Sequence, residues 1–142
     1  MRGFIFWYAI FASVLVMTSV GLADTSSSVA ADVVSVHDGD TIVVDAHPWP
    51  GMTIRISVRV RGIDSPEIRG KCQAEKKAAI NARDRMAELV KGGLRLENIA
   101  HGKYAGRVIA DAISSRGTVA KILIQEGFAR PYDGGKRAGW CD

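Results

Sequence analysis

The sequence has little of what a zinc site, a repeat protein or a strongly charged polyanion-binding protein needs. Its 142 residues include two cysteines and three histidines, and these do not stand at the short spacings of a zinc site. No segment of the chain repeats elsewhere. Basic side chains exceed acidic ones by only four, which permits a polyanionic substrate without indicating one. What remains is a chain of one domain, long enough to form a proper hydrophobic core.

One long hydrophobic run is present, and it lies at the N-terminus. Residues 4–20 carry no charge, Arg2 precedes them, and the small residues of Gly21-Leu22-Ala23 follow. A basic start, an apolar middle and a small-residue exit predict a secretory signal peptide, cleaved between Ala23 and Asp24. The alternative is an uncleaved membrane anchor, because the run reaches the lower length limit of a membrane span. We favour cleavage and expect an exported protein, either periplasmic or extracellular.

The predicted organisation therefore has three parts. Residues 1–23 form the signal peptide, residues 24–32 form a disordered linker, and residues 33–142 form one domain. The linker is predicted from a composition rich in Ser, Thr and Ala.

The two cysteines, Cys72 and Cys141, both lie in the part predicted to be exported. Two cysteines in an oxidising compartment predict a disulfide. It would tie the start of a predicted helix to the C-terminal end of the chain. Closing a loop of about 70 residues would stabilise the fold by roughly 4 kcal/mol, because the unfolded chain loses entropy.

Hydrophobic periodicity in the rest of the chain predicts five strands and two helices. Alternating or short apolar runs bounded by turn residues predict strands. A segment without Gly or Pro, rich in Ala, Lys, Arg and Glu, predicts a long helix. The predicted elements are strands at 33–36, 41–44, 52–60, 94–100 and 107–113, a rigid loop at 46–51, a long helix at 73–91 and a short helix at 119–126 capped by Thr118.

The order of these elements predicts a mainly β protein of the α+β class. A long helix between the third and fourth strands, and a short helix after the fifth, are typical of the five-stranded Greek-key barrel called the OB-fold. An ordinary α+β sandwich fits the element list about as well.

Acidic residues lie at two predicted strand ends. Asp38 and Asp40 lie between the first two strands, and Asp64 and Glu67 flank Pro66, where the third strand stops. A single aspartate at such a position more often forms a turn than binds a ligand. Carboxylates that sheet pairing brings together, however, repel one another unless a cation lies between them. The two acidic ends together predict a metal site.

Three separated motifs resemble the thermonuclease-like domains, the family of the staphylococcal nuclease. They are Asp38-Gly39-Asp40-Thr41, Arg59 through Glu67, and Lys103-Tyr104-Ala105-Gly106-Arg107. The resemblance runs from about Val33 to Arg130, and the order of elements agrees throughout. It implies an OB-fold and a secreted Ca²⁺-dependent nuclease that hydrolyses phosphodiester bonds of DNA and RNA. Low sequence preference and 3′-phosphate products are implied as well.

The resemblance also implies a ligand set for the Ca²⁺ ion. Asp40 and Asp64 would bind the ion directly, together with the backbone carbonyl of Ser65. Such oxygen-only ligands suit a hard cation. Asp38 would lie near the ion without binding it.

Further residues would act on the substrate, by the same resemblance. Glu67 would hold or deprotonate the attacking water, which a carboxylate can do. Arg59 and Arg107 would clamp the scissile phosphate and stabilise the charge that develops on it. Lys103 and Tyr104 would flank the substrate phosphate and base.

The sequence departs from the family pattern at three places. Ser65 stands where Thr is more usual, and Ala105 makes the loop before Arg107 one residue longer than the commoner Lys-Tyr-Gly-Arg. The third helix of the staphylococcal protein has no counterpart after the short helix. Tyr132 is then the nearby candidate for base stacking. We hypothesise that the bond between Cys72 and Cys141 anchors the tail in place of that helix.

Two other interpretations stay open. A non-catalytic OB-fold module that binds single strands or a protein partner would share the fold. It would not need Asp40, Asp64, Glu67, Arg59 and Arg107 together. A disulfide-stabilised structural protein of the cell envelope would explain the cysteines but not the acidic residues. We therefore predict a monomeric nuclease that acts on single-stranded DNA and RNA without an obligate protein partner.

Overall fold

The computed structural model describes residues 27–141, so the predicted signal peptide and its cleavage point lie outside the described residues. Eight strands and two helices follow one another along this part of the chain. They are β1 (Val29–Val36), β2 (Thr41–Trp49), β3 (Met52–Val60), β4 (Ile63–Asp64), α1 (Gln73–Leu89), β5 (Leu94–His101), β6 (Arg107–Ser114), β7 (Gly117–Thr118), α2 (Val119–Gln125) and β8 (Arg130–Pro131).

Five of the strands close into a barrel. The sheet order is β3-β2-β1-β5-β6-β7 with antiparallel neighbours, and a parallel pairing of β3 with β6 joins the two sides. Closure removes the exposed edges that an open sheet would leave. The OB-fold prediction is therefore confirmed, and the alternative of an α+β sandwich is wrong.

The core fills the barrel and the space between the barrel and the helices. Because side chains alternate along a strand, every second residue points inward. The fully buried large side chains are Ile42, Val44, Val58, Val60, Ile63, Met86, Leu89, Val90, Leu96, Val119 and Leu123. Helix α1 covers the barrel with the stripe predicted from the sequence, since Ala79, Ala82 and Met86 are all inaccessible to solvent.

Local signals set the ends of α1. The Sγ atom of Cys72 accepts a hydrogen bond from the Glu75 backbone N–H at 3.4 Å, which caps the N-terminus. Gly92 and Gly93 follow the helix with φ angles of 96° and 90°, a region that favours glycine. The helix was predicted over residues 73–91 and ends two residues earlier. At α2, Thr118 occupies the N-cap position, but its side chain makes no capping hydrogen bond.

Two strands are longer than predicted. β1 begins at Val29, so residues 29–32 belong to the barrel rather than to a disordered linker. β2 continues to Trp49, so the predicted rigid loop at 46–51 is mostly strand. Polar residues that interrupt the apolar pattern are paired across strands here. Asp45 accepts two hydrogen bonds of 2.8 Å from Arg55, and this pairing extends the hairpin beyond its apolar part.

The predicted disulfide is present and ties the C-terminal tail to the start of α1. Cys72 and Cys141 are joined with their Cα atoms 5.9 Å apart. The tail also forms a two-residue antiparallel pairing, β4 with β8, in which Asp64 lies opposite Arg130. Strands this short leave no periodicity to detect in a sequence. Within residues 27–141, neither helix is long and apolar enough to cross a membrane.

We expect Met86→Ala to lower the free energy of unfolding by about 2–5 kcal/mol, because it leaves a cavity between α1 and the barrel. Ile80 lies on the opposite, solvent-facing side of α1 and is 44% exposed. Ile80→Ala is thus a matched control, and its cost should stay below about 1 kcal/mol. Urea titration followed by circular dichroism measures both. Equal costs would contradict the assignment of the buried face.

Candidate active site

A tight turn before β2 presents Asp38 and Asp40. The N–H of His37 donates to the carbonyl of Thr41 at 2.9 Å, which closes the turn. The backbone N–H of Asp40 donates to Asp38 Oδ1 at 3.1 Å, so the first aspartate stabilises the turn that places the second.

Gly39 is required at the centre of this turn by lack of space. A Cβ atom at this position would lie 2.8 Å from the Cβ atoms of Ala82 and Ser65. The turn therefore packs directly against α1 and against the segment that follows β4. This close approach brings the two acidic strand ends of the sequence together.

Asp40 is buried, with 2% of its surface exposed, and its carboxylate is surrounded by donors. Oδ1 accepts from the hydroxyl of Thr41 at 2.9 Å and from the guanidinium of Arg59. Oδ2 accepts from the backbone N–H of Ser65 at 3.0 Å. These contacts fix the carboxylate beside the end of β4.

Arg59 on β3 connects the two acidic strand ends. One of its Nη atoms donates to Asp40, while the other donates to the carbonyl of Ile63 at 3.2 Å. The second Nη atom also lies 3.7 Å from Asp64 Oδ1. A single half-buried guanidinium is thus shared between two buried carboxylates, which compensates part of their mutual repulsion.

Asp64 is 5% exposed, and its two oxygen atoms differ. Oδ2 accepts a hydrogen bond of 3.2 Å from the indole N–H of Trp140. Oδ1 lies 3.0 Å from Arg137 Nε, yet within the described residues it has no hydrogen bond of good geometry. A buried carboxylate oxygen left in this way is costly unless something further binds it.

The donor atoms here fit a hard divalent cation. Two buried carboxylates, Asp40 and Asp64, and the buried residue Ser65 offer only oxygen ligands, and one oxygen of Asp64 lacks a hydrogen bond. A second cluster fits less well. Cys72, Glu75 and Cys141 offer ligand atoms within 4.8 Å of one another, but both sulfur atoms belong to the disulfide and one carboxylate remains.

Asp38 lies beside this pair of carboxylates without sharing Arg59. Burial and the neighbouring charge of Asp40 together raise the pKa of Asp38 to about 6. The anionic form of this side chain is therefore less favoured than that of an exposed aspartate, and a nearby cation would favour it.

Glu67 lies at the surface next to the buried pair, with 56% of its side chain exposed. Its carboxylate pairs with the guanidinium of Arg137. Its backbone N–H donates to Glu75 Oε1 at 3.4 Å, and the other oxygen of Glu75 accepts from the Lys71 N–H at 2.9 Å. Glu75 thus holds the loop that carries Glu67.

Glu75 was not predicted as a site residue, although the sequence carries a signal for it. It falls four residues before Ala79, on the apolar stripe of α1, and it is buried. An acidic residue on a buried helix face needs partners. Here the partners are backbone N–H groups of the loop before the helix.

The closure of the barrel places Arg107 on the same face as Arg59. In the parallel pairing, Arg107 on β6 lies opposite Ser57, two residues before Arg59 on β3. Among residues 27–141, no carboxylate lies within salt-bridge distance of Arg107. Its guanidinium is available to an anionic ligand.

The longer loop before β6 still returns Arg107 to the sheet. Gly106, with φ of 74°, and a hydrogen bond of 3.3 Å from the Arg107 N–H to the Tyr104 carbonyl absorb the extra residue, Ala105. The Tyr104 ring lies 5.8 Å from the Arg107 guanidinium and 5.6 Å from Lys103 Nζ. Cations and an exposed aromatic ring therefore meet at this edge.

These side chains border one open cleft of about 900 Å³. The lining cations outnumber the lining acids, and two tyrosines lie among them. The lining includes Asp38, Arg59, Glu67, Arg69, Arg83, Lys103, Tyr104, Arg107, Tyr132 and Arg137. Tyr132 is held by its N–H, which donates to Gly62, and by its hydroxyl, which donates to Gly135. Such a cleft suits a polyanion with aromatic bases.

The structure brings all the predicted catalytic and substrate-binding side chains to this cleft or its floor, and their chemical roles stay predictions. Besides Glu75, Arg137 and Trp140 of the site were not predicted from the sequence. Both lie within four residues of Cys141, so the predicted disulfide was the one signal that could have placed them beside the start of α1.

The chain matches a family model described as staphylococcal nuclease homologue over residues 57–138, more than half of its length. The matched range contains Arg59, Asp64, Glu67 and Arg107, and it begins after Asp40. No curated protein sequence matches the chain.

We expect Gly39→Ala to destabilise the protein by about 1–3 kcal/mol, because the added methyl group overlaps Ala82 and Ser65. The turn would have to shift to relieve this overlap, and the shift should weaken the binding of any ligand held by Asp40. Gly139 has open space around its Cβ position, so Gly139→Ala is the control and should change stability by less than about 0.5 kcal/mol. The measurement is thermal unfolding of both variants and the wild type. If Gly39→Ala were as stable as the wild type, the close approach of this turn to α1 would be disproved.

Proposed function

Because the chain belongs to the staphylococcal nuclease homologue family, we propose that it is an exported, Ca²⁺-dependent nuclease that hydrolyses phosphodiester bonds in DNA and RNA. Members of this family are generally nucleases and depend as a rule on calcium. The observation that carries the proposal is the buried pair Asp40 and Asp64, which contacts Arg59 and Arg137 in the lining of a cleft rich in cations.

The cation would be held by carboxylate oxygens of Asp40 and Asp64 and by the carbonyl of Ser65. When bound, Ca²⁺ would supply positive charge that polarises a phosphate oxygen and helps to orient the substrate. In the protein itself, burial keeps water from screening these charges, which strengthens every electrostatic interaction at the site.

Glu67 would hold and deprotonate the water that attacks the phosphorus atom. Its exposed carboxylate stands at the edge of the cleft, where a water molecule can reach it. The Glu75 contacts to the backbone of this loop restrict its position. A carboxylate within reach of a water molecule can accept a proton from it.

Arg59 and Arg107 would stabilise the charge that builds on the phosphate oxygens as water attacks. They share one face of the closed barrel, and their planar guanidinium groups can donate two hydrogen bonds each to a phosphate. Lys103 would contribute a further positive charge, and Tyr104 and Tyr132 would stack against bases. Because phosphate is common to all nucleotides, we expect little sequence preference.

The disulfide supports an oxidising compartment, and with it the proposal of export. The competing proposal is an OB-fold module that binds nucleic acid without cutting it. The cations of the cleft would serve either a nuclease or a binding module, whereas the buried carboxylate pair would serve only the nuclease.

We expect Glu67→Gln to slow cleavage of denatured DNA by about 100-fold or more, because the variant lacks the proposed base. Glu88 is exposed on α1, outside the cleft, so Glu88→Gln is a matched control and should cleave at the wild-type rate. The measurement is digestion by the oxidised protein, comprising residues 24–142, in millimolar Ca²⁺. Equal rates for the two variants would exclude Glu67 as the base.

We also expect the wild-type protein to lose cleavage in chelator and to regain it when Ca²⁺ is restored. Asp40→Asn should cleave slowly even in saturating Ca²⁺, since one anionic ligand is gone. Binding of DNA without cleavage in either condition would contradict the nuclease proposal and favour the binding module. A fluorescently labelled strand allows binding and cleavage to be followed in the same samples.

A further inference from the structure

Residues 130–141, which we call the C-terminal strap, border the cleft through Tyr132, Gly134 and Arg137. Arg137 of the strap stands between the carboxylates of Asp64 and Glu67. Its Nε atom lies 3.0 Å from Asp64 Oδ1, and one of its Nη atoms pairs with Glu67. One guanidinium therefore contacts both a proposed cation ligand and the proposed base.

A second strap residue engages the other oxygen of Asp64. The indole N–H of Trp140 donates to Asp64 Oδ2 at 3.2 Å. The Trp140 ring is itself held, because the guanidinium of Arg130 lies 3.7 Å from its centroid. Arg130 also donates to the carbonyl of Gly139 at 2.7 Å. Both oxygens of Asp64 are thus close to strap donors.

The strap is fixed at both ends. At one end, β8 pairs with β4, which itself contains Asp64. At the other end, Cys141 is bonded to Cys72 at the start of α1. A group tethered in this way meets its partner as an intramolecular neighbour, with a high effective concentration. Arg137 therefore stays within reach of the carboxylates even after its ion pairs with them break.

Electrostatics support the pairing that the geometry shows. The carboxylates of Asp64 and Glu67 both lie at contact distance from the Arg137 guanidinium, and their negative charges stabilise it. The strap cation is therefore stabilised by the same carboxylates that a divalent cation would need. Two cations drawn to the same oxygen atom compete for it.

We propose that the C-terminal strap is a built-in competitor for the divalent cation, in which Arg137 neutralises Asp64 and Glu67 until the cation displaces it. The inference rests on the proposed function, because it concerns the same site. Cation binding then requires the strap to move, and the apparent dissociation constant rises by the inverse of the fraction of molecules whose strap is open. The strap sets the Ca²⁺ concentration at which Glu67 is released.

The test is calorimetric titration of the full oxidised domain with CaCl₂ alone, without nucleic acid. We expect Arg137→Gln to bind Ca²⁺ about 3- to 10-fold more tightly than the wild type. Arg137→Lys keeps the charge but lacks the fork that spans two carboxylates, so its affinity should fall between the two. The double variant Cys72→Ser, Cys141→Ser frees one end of the strap and should also bind more tightly than the wild type.

Arg95→Gln controls for the loss of one positive charge. Arg95 is exposed on β5 and pairs weakly with Glu97, so we expect wild-type affinity. Circular dichroism verifies that each variant is folded, and Arg137→Lys tests the inference if the glutamine variant is not.

The outcomes separate the inference from the function on which it rests. If Arg137→Gln binds Ca²⁺ more tightly than the wild type and Arg95→Gln binds it with wild-type affinity, the proposed competition is supported. Saturable binding with equal or weaker affinity in Arg137→Gln overturns the competitor and leaves the nuclease proposal standing. The absence of calcium binding from every variant would overturn both.

Discussion

The guanidinium of Arg59 is the contact on which the site depends. It spans Asp40, at the start of β2, and the end of β4, where Asp64 lies. Two buried carboxylates this close would repel each other strongly without a shared cation. The close packing of Gly39 on α1 and on Ser65 is possible because this repulsion is compensated. The turn at Gly39 therefore depends on the ion pairs that Arg59 makes beside it.

Closure of the barrel adds a second arginine to this network. The parallel pairing of β3 and β6 places Arg107 beside Arg59, although the two residues are separated by helix α1 and strand β5. Cations, acidic groups and residues of the strap then line the same cleft. The arginines proposed to contact phosphate and the carboxylate proposed to activate water border one cleft only because the sheet closes.

Much of the fold and of the site could be predicted because the signals are local. Alternation along β3, the Gly- and Pro-free stretch of α1 and the Gly92-Gly93 stop each depend on neighbouring residues alone. The errors arose where tertiary contacts outweighed local pattern. The hairpin of β2 and β3 continues through Asp45 because Arg55 pairs with it across the strands. Glu75 was overlooked because its partners lie in a preceding loop.

The sequence by itself determined the five barrel strands, the two helices, the cysteine pair and the cleft residues of the three motifs, since residue type and short spacing encode them. The tertiary structure alone decided that Arg137 and Trp140 reach Asp64, which lies about 70 residues earlier in the chain. No short-range pattern can encode such a contact. It depends on the β4–β8 pairing and on the disulfide, which together hold the strap against the carboxylates.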